Sequence, residues 1–444
     1  MLTQPINAWL TRQHAGIVAR RGGQTLLRAE WQRHIVTLGH RLMAEPQRRW
    51  ALCFDDSYLF SVALLAALHA GKTPVIPGHC REALLQEQRD DFDGVLTDLD
   101  FALDCPVVTL PLAENGPLPP LPAIAPDAAV ILFTSGSTGR PEQVIKPLHC
   151  LDREAGWLAR RWSPQLQDAT VIASVSHQHL YGLTFRIILP LACGIPFDSR
   201  QVLYSEQLAA QDAHQRYVFI SSPAFLRRLD RSLRAPACQL IVSAGGTLAW
   251  EHAQAAGQWF GQPVDEIYGS TETGVLATRR FVHEGQPWQP FDGVAFSQDA
   301  RQNWRVRSPL IPQSGGLLLN DKLRFSTDGF RLCGRHDRIV KIEDKRVSLS
   351  EIERRLLALP GVVDAAALVI TRPERCGVGV VLVLDSDVTA RQLLSLRQQW
   401  RQALHRWLEP VAMPRYWRVV ESIPQNSQSK RAWPQIQELF YAAR

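Results

Sequence analysis

Short apolar runs separated by helix-compatible stretches recur along this 444-residue chain, and that alternation constrains the fold more than any other feature. Thr73–Ile76 and residues 95–97, 128–133, 171–174, 218–221 and 239–243 read as short strands. Residues 58–70 have helical spacing, and helix-compatible stretches follow the strands at 171–174, 218–221 and 239–243. Such alternation predicts an α/β domain with largely parallel sheets. The Pro-rich stretch 117–126 (PLPPLPAIAP) reads as a linker between an N-terminal region and the strand at 128–133.

The last 110 or so residues differ in charge. Residues 331–444 hold 19 Lys+Arg against 12 Asp+Glu, a net +7 that accounts for the +6 of the whole chain. Within them 349–359 reads as a helix opened by Ser348 or Ser350, 365–370 and 379–384 as strands, and 390–408 as a long helix. The expected organisation is a large domain over 1–333 and a small α+β domain over 334–444. The charge excess is either a solvated Arg-rich surface or a basic face for an acidic or phosphate-bearing partner. It does not establish a nucleic-acid partner, and none is expected.

Composition narrows the class further. Hydrophobic residues make up 45% and charged residues 21%, an ordinary globular mixture. The most apolar run, 60–70, is well short of the ~20 residues of a membrane span, so no integral membrane association is expected. The opening residues MLTQPINAWLTRQ lack the basic start and apolar core of a secretory signal. Eight scattered cysteines form no C-x-x-C pair and read as buried thiols in a reducing cytoplasm, where the chain is expected to reside.

The most informative segment is 131–141, ILFTSGSTGRP, in which an apolar strand runs straight into Thr134, Ser135, Gly136, Ser137, Thr138 and Gly139. Glycines let the backbone turn tightly, and the hydroxyls and successive N–H groups of such a turn form a nest for phosphate oxygens. No Gly-Lys-Ser/Thr follows, which argues against a P-loop kinase or ATPase.

This loop resembles the phosphate loop of the adenylate-forming superfamily: acyl-CoA synthetases, adenylation domains and luciferases. Further segments resemble that family's motifs in order. In Tyr268-Gly-Ser-Thr-Glu-Thr-Gly274 the resemblance implies that Tyr268 and Gly269 border adenine, that Thr271 contacts the α-phosphate and that Glu272 helps hold Mg²⁺. Read alone, this segment is equally a turn closing a strand. Ser243-Ala-Gly-Gly-Thr247 is similar to the stretch lining the adenine side, with Gly245 and Gly246 letting backbone approach the base. Asp321, rather than Asp328, would grip the ribose, Arg335 would reach ribose or phosphate, and Asp337 would be the hinge of a mobile small domain. Lys430 stands where the family carries its C-terminal catalytic lysine, and Lys341 begins the segment that would enter the site for the second half-reaction. His177-Gln-His-Leu-Tyr-Gly182 resembles the substrate-pocket segment, with His179 as an aromatic gate beside Gly182. The paired histidines lack a third nearby ligand and are not read as a metal site.

The resemblance implies an ATP- and Mg²⁺-dependent ligase that adenylates an aromatic or fatty carboxylic acid and passes the acyl group to a thiol. That thiol would be coenzyme A or the phosphopantetheine of a carrier protein; an acidic acyl carrier protein would suit the positive small domain. Several positions depart from the family pattern. Pro141-Glu142-Gln143 stands where Pro-Lys-Gly is usual, leaving Lys146 as a stand-in cation; Asp344 replaces a Gly beside the pantetheine path; Ser429 replaces the Gly before Lys430. The region ahead of the loop is also short, about 130 residues. These departures motivate two alternatives: an enzyme that stops at the adenylate or uses a non-thiol acceptor, and a catalytically silent nucleotide-binding protein.

Overall fold

A computed structural model describes residues 3–11, 16–113, 116, 118–135, 141–246, 248–300, 302–335, 339–343, 345–372, 375–386, 388–424 and 431–441. The chain divides into two compact units: Met1–Thr134 with Gln143–His336, and Ser135–Glu142 with Asp337–Arg444. The fold is α/β, with parallel-rich sheets in the large unit and a small α+β unit.

Two sheets organise the large unit. One runs Val107–Thr109, Gly94–Thr97, Arg49–Cys53, Thr73–Ile76, Ala129–Ser135, Pro141–Pro147, and its first four neighbouring pairs are parallel. The other has a parallel centre, in the order Val264–Ser270, Cys238–Ser243, Arg216–Ser221, Ala169–Ala173, Phe197–Gln201, Ile17–Arg21. Antiparallel strands finish its edges, Gly274–Arg280 and Gln289–Pro290 on one side and Gln24–Leu27 on the other. Ala169–Ala173 and Gly94–Thr97 are buried at every residue, the signature of parallel strands covered on both faces.

The helix Ser57–His69 explains how the sheets share a core. It is buried all round because it touches strands of both sheets, Arg49–Cys53 and Thr73–Ile76 of one and Phe197–Gln201 of the other. Asp56 caps it, accepting from the Leu59 amide at 3.0 Å. The Pro-rich stretch is a docked strap rather than a spacer: His40 and His69 hold the Pro119 and Pro122 carbonyls at 2.9 and 2.7 Å, and Leu121 packs on the core.

The small unit holds the antiparallel pair Ile339–Ile342 and Lys345–Ser348, and a sheet of Val362–Arg372, Arg375–Leu384 and Pro414–Val419. Ser348, not Ser350, caps Leu349–Leu357 through the Glu351 amide at 3.2 Å. The long helix is Ala390–His405, shorter than the apolar periodicity predicts, because the chain turns at 406–411. One further expectation needs correcting. Of the cysteines, all unpaired, Cys333 is exposed and Cys80, Cys105 and Cys376 are half-buried.

Candidate active site

The richest polar constellation in the large unit surrounds the turn between the antiparallel strands Val264–Ser270 and Gly274–Arg280. Tyr268 is buried near the end of the first strand, its ring edge-on to Phe330 and tilted to Trp288 at centroid distances of 5.7 and 5.9 Å. Its hydroxyl donates to the Asp321 carboxylate at 2.9 Å. Asp321 opens the strand Asp321–Ser326 and pairs through its Cα with Arg335, which ends Gly329–Arg335 and whose side chain is outside the described residues. Asp328 lies at the other end of that hairpin, exposed and accepting from Ser326 Oγ at 2.7 Å, a bond that holds its carboxyl below the usual range. The structure therefore brings Asp321 and Tyr268 together and leaves Asp328 apart.

Thr271 and Glu272 are half-buried at the tip of the turn, next to Gly269, and Thr273 locks the turn from within. Thr273 Oγ accepts from the Ser270 amide at 3.0 Å and donates to the Gly274 carbonyl at 2.9 Å. Gly274 has a left-handed φ of +69°, and a Cβ there would fall 2.8 Å from Glu154 Oε1. Beneath the turn, Glu154 of the helix Leu148–Arg161 is fully buried; it accepts from the Val275 amide at 2.7 Å and from Thr184 Oγ at 2.6 Å. Lys146, 2% exposed, donates from Nζ to the Glu272 carbonyl at 3.2 Å. Burial pushes the Lys146 ammonium below its ordinary value, opposed by the charges of Glu154, Cys150 and Glu272. Burial pushes Glu154 up, opposed by Lys146 and its two hydrogen bonds.

Lys146 is thus turned to the base of this turn. Glu154 was missed in the sequence. Its signal was a lone carboxylate among Leu148, Leu151, Ala155 and Leu158 on the buried face of a helix.

A second polar cluster sits under 177–182. His177 is fully buried, Nε2 facing the Phe54 carbonyl and Nδ1 facing Ser57 Oγ, both at 2.9 Å. The carbonyl can only accept, so the neutral ring donates from Nε2 and accepts at Nδ1. Burial and the Arg186 charge hold its pKa well below the ordinary imidazole value. His179 is exposed and precedes the helical turn Leu180–Gly182. Gly182 is obligatory there, since a Cβ would lie 1.9 Å from the Ser176 carbonyl oxygen.

Thr134 is buried near the end of Ala129–Ser135, which Ser135 closes. Gly136, Ser137, Thr138 and Gly139 lie outside the described residues, as do Asp337, Asp344 and Lys430. Gly245 and Gly246 follow the strand Cys238–Ser243, Gly245 exposed with φ +92° and Gly246 half-buried. Lys341 is exposed in Ile339–Ile342 of the small unit. Among the described residues no three His, Cys, Asp or Glu side chains gather as a metal cage. A single half-buried carboxylate beside a hydroxyl fits magnesium, which keeps waters and substrate phosphates in its shell.

Comparison with known proteins places this arrangement in a class. The o-succinylbenzoate CoA synthetase of Bacillus subtilis has the same fold, with TM-score 0.83 at 18% identity over 98% of each chain. The AMP-binding enzyme family model matches residues 77–298, half of the chain, and the protein belongs to that family, within the adenylate-forming superfamily. A 4-hydroxybenzoate–CoA/benzoate–CoA ligase of Rhodopseudomonas palustris is 25% identical over 88% of this chain and 84% of its own. An L-proline–[L-prolyl-carrier protein] ligase of Streptomyces coelicolor is 24% identical over 94% of this chain and 93% of its own. A mitochondrial malonate–CoA ligase of Bos taurus is 23% identical over 68% of this chain, which spans 62% of that protein.

Proposed function

We propose that the protein is an ATP-dependent carboxylate ligase that adenylates an aromatic or fatty acid and transfers the acyl group to a thiol, coenzyme A or a carrier-protein phosphopantetheine. The observation that carries this reading is the hydrogen bond from Tyr268 to Asp321 beside the Thr271–Glu272 turn, in a chain of the AMP-binding family. That bond supports the reading because it holds the carboxylate that would grip ribose against the ring that would border adenine.

The chemistry follows from charge. A carboxylate is a poor electrophile because its leaving group would be oxide. Its oxygen attacks the α-phosphorus of ATP, the bond to pyrophosphate breaks, and the mixed anhydride leaves AMP as a good leaving group. Asp321 would hold the ribose and Tyr268 the adenine side, with Gly245 and Gly246 allowing close approach of backbone. Thr271 would meet the α-phosphate, and Lys430 would add an ammonium to the developing charge. The loop from Thr134 to Gly139 would cradle the remaining phosphates. Magnesium bound at Glu272 would neutralise phosphate charge. In the second step a thiolate attacks the acyl carbon and AMP departs. The hinge at Asp337, with Lys341 brought in for thioester formation, belongs to this proposal, as do the 1–333 and 334–444 boundaries.

No helix among the described residues is long and apolar enough to cross a membrane, and a cytoplasmic enzyme is the proposed setting. The test is carboxylate-dependent ATP–pyrophosphate exchange over aryl and fatty acids, with Lys430→Ala as control. Exchange with one acid class that collapses in the variant is expected. Nucleotide binding without exchange for any acid would sink the ligase and favour a silent binder. Exchange without transfer to either thiol would favour an enzyme that stops at the adenylate.

A further inference from the structure

Lys146 and Glu154 are buried charges that the proposed chemistry does not use directly, yet both terminate on the backbone that carries Thr271 and Glu272. Lys146 donates to the Glu272 carbonyl at 3.2 Å. Glu154 takes the Val275 amide at 2.7 Å and is steadied by Thr184 at 2.6 Å. The turn between those two anchors is closed internally by Thr273, and Gly274 is the only kind of residue that leaves room for the Glu154 oxygen. A hydrophobic filler could occupy this volume without the cost of burying charge. The charges instead grip the turn at the residue whose carboxylate faces the magnesium–nucleotide and at the third residue beyond it.

Resting on the nucleotide-ligase reading, we propose that Lys146 is a positioning residue for the magnesium–nucleotide end of the site, with Glu154 as its counter-charge. Lys146 fixes the Glu272 peptide from below, so the Thr271 hydroxyl and Glu272 carboxylate are set before nucleotide arrives. The Glu272 charge in turn helps to keep the buried Lys146 protonated. The arrangement supplies a fixed cation behind the turn in a chain whose phosphate loop continues into Glu142 rather than a lysine.

The experiment measures binding of a non-hydrolysable ATP analogue by calorimetry, with and without Mg²⁺, alongside thermal melting. The variants are Lys146→Met/Glu154→Gln, which removes both charges while Gln can still accept from Val275, and Lys146→Arg, which keeps charge and donor. The double variant should melt near the wild type. It should lose about tenfold of the Mg²⁺-dependent gain in affinity, the usual scale for residues that orient a metal ligand, with Mg²⁺-free binding unchanged. Lys146→Arg should keep that gain within about threefold. A folded double variant with wild-type Mg²⁺ coupling overturns the assignment, and so does equal weakening with and without Mg²⁺, which marks a purely structural role. Should the double variant not fold, Lys146→Arg decides: loss of the coupling in that folded variant overturns the assignment, and retention supports it. A wild type that binds no nucleotide overturns the ligase reading itself, before any variant is compared.

Discussion

The large unit holds two buried polar clusters under segments assigned to the site, and they are built on opposite principles. Under the Thr271–Glu272 turn, burial pushes both Lys146 and Glu154 toward their neutral forms, and the charge of each opposes that shift in the other. Under 177–182, His177 is neutral, saturated by one carbonyl and one hydroxyl, and kept neutral by burial and the Arg186 charge. A charged cluster fixes a turn strongly but fails badly when one member is lost. A neutral one is cheaper to bury and fails by one or two hydrogen bonds. The Thr271–Glu272 turn is thus anchored by ionisable groups and the 177–182 segment by neutral hydrogen bonds.

Three substitutions probe this contrast, the most damaging first. Glu154→Leu strands the Lys146 ammonium and should cost about 3–5 kcal/mol in denaturant unfolding. Gly182→Ala drives a methyl into the Ser176 carbonyl and should cost about 3 kcal/mol, with a weakened KM for the acid as a second readout. His177→Phe leaves the Phe54 carbonyl and Ser57 hydroxyl without their ring partner and should cost about 2 kcal/mol at pH 8. If His177→Phe proves costlier than Glu154→Leu, the contrast between the clusters collapses.

His177 also predicts a pH dependence. Its folded pKa lies below the unfolded value, so its contribution is present above about pH 6.5 and is lost as pH falls below that value. Stability measured from pH 8 to 5 should fall less steeply in His177→Phe than in the wild type. The smallest effect is expected two residues from Glu154. Among the described residues no lysine pairs with Asp152, and burial raises its carboxyl to about 6 despite the hydrogen bond it accepts from the Ile6 amide. The sign is opposite to that of His177: folding favours the protonated acid, so stability falls as pH rises from the usual carboxylate range to about 6. Asp152→Asn should gain about 1–2 kcal/mol at pH 8, allowing for partial solvent exposure, and nothing at pH 4. Equal unfolding curves at both pH values would count against it.

Much of the fold was legible because it rests on local pattern. The helix Ser57–His69 and the strands Thr73–Ile76, Gly94–Thr97, Ala129–Ser135, Arg216–Ser221 and Cys238–Ser243 lie where apolar periodicity predicts them, give or take a residue or two. In the small unit the two central strands and the helices Leu349–Leu357 and Ala390–His405 were visible, the first helix ending before Pro360-Gly361, whereas Ile339–Ile342, Lys345–Ser348, Pro414–Val419 and Trp433–Glu438 were not read. The Tyr268–Gly274 segment was recognisable as a motif and as a turn, and it is a hairpin turn. The strap at 117–126 was not legible as packed structure, because Pro-rich composition reports backbone stiffness and says nothing of the His40 and His69 rings that hold its carbonyls. Glu154 was missed, since a charge in sequence looks like surface until its partner is found 121 residues away.

The sequence by itself determined the alternation of strands and helices, the order of the motifs and so the family, because these depend on near neighbours and on residue chemistry. Only the tertiary structure set Asp321 against Tyr268 and left Asp328 apart, sent Lys146 beneath Glu272 and neutralised His177. The physical reason is common to all three. Each rests on distance and burial across segments remote in the chain, where a few ångströms of separation and the exclusion of water set which charge is paired, which is neutral and which is left in solvent.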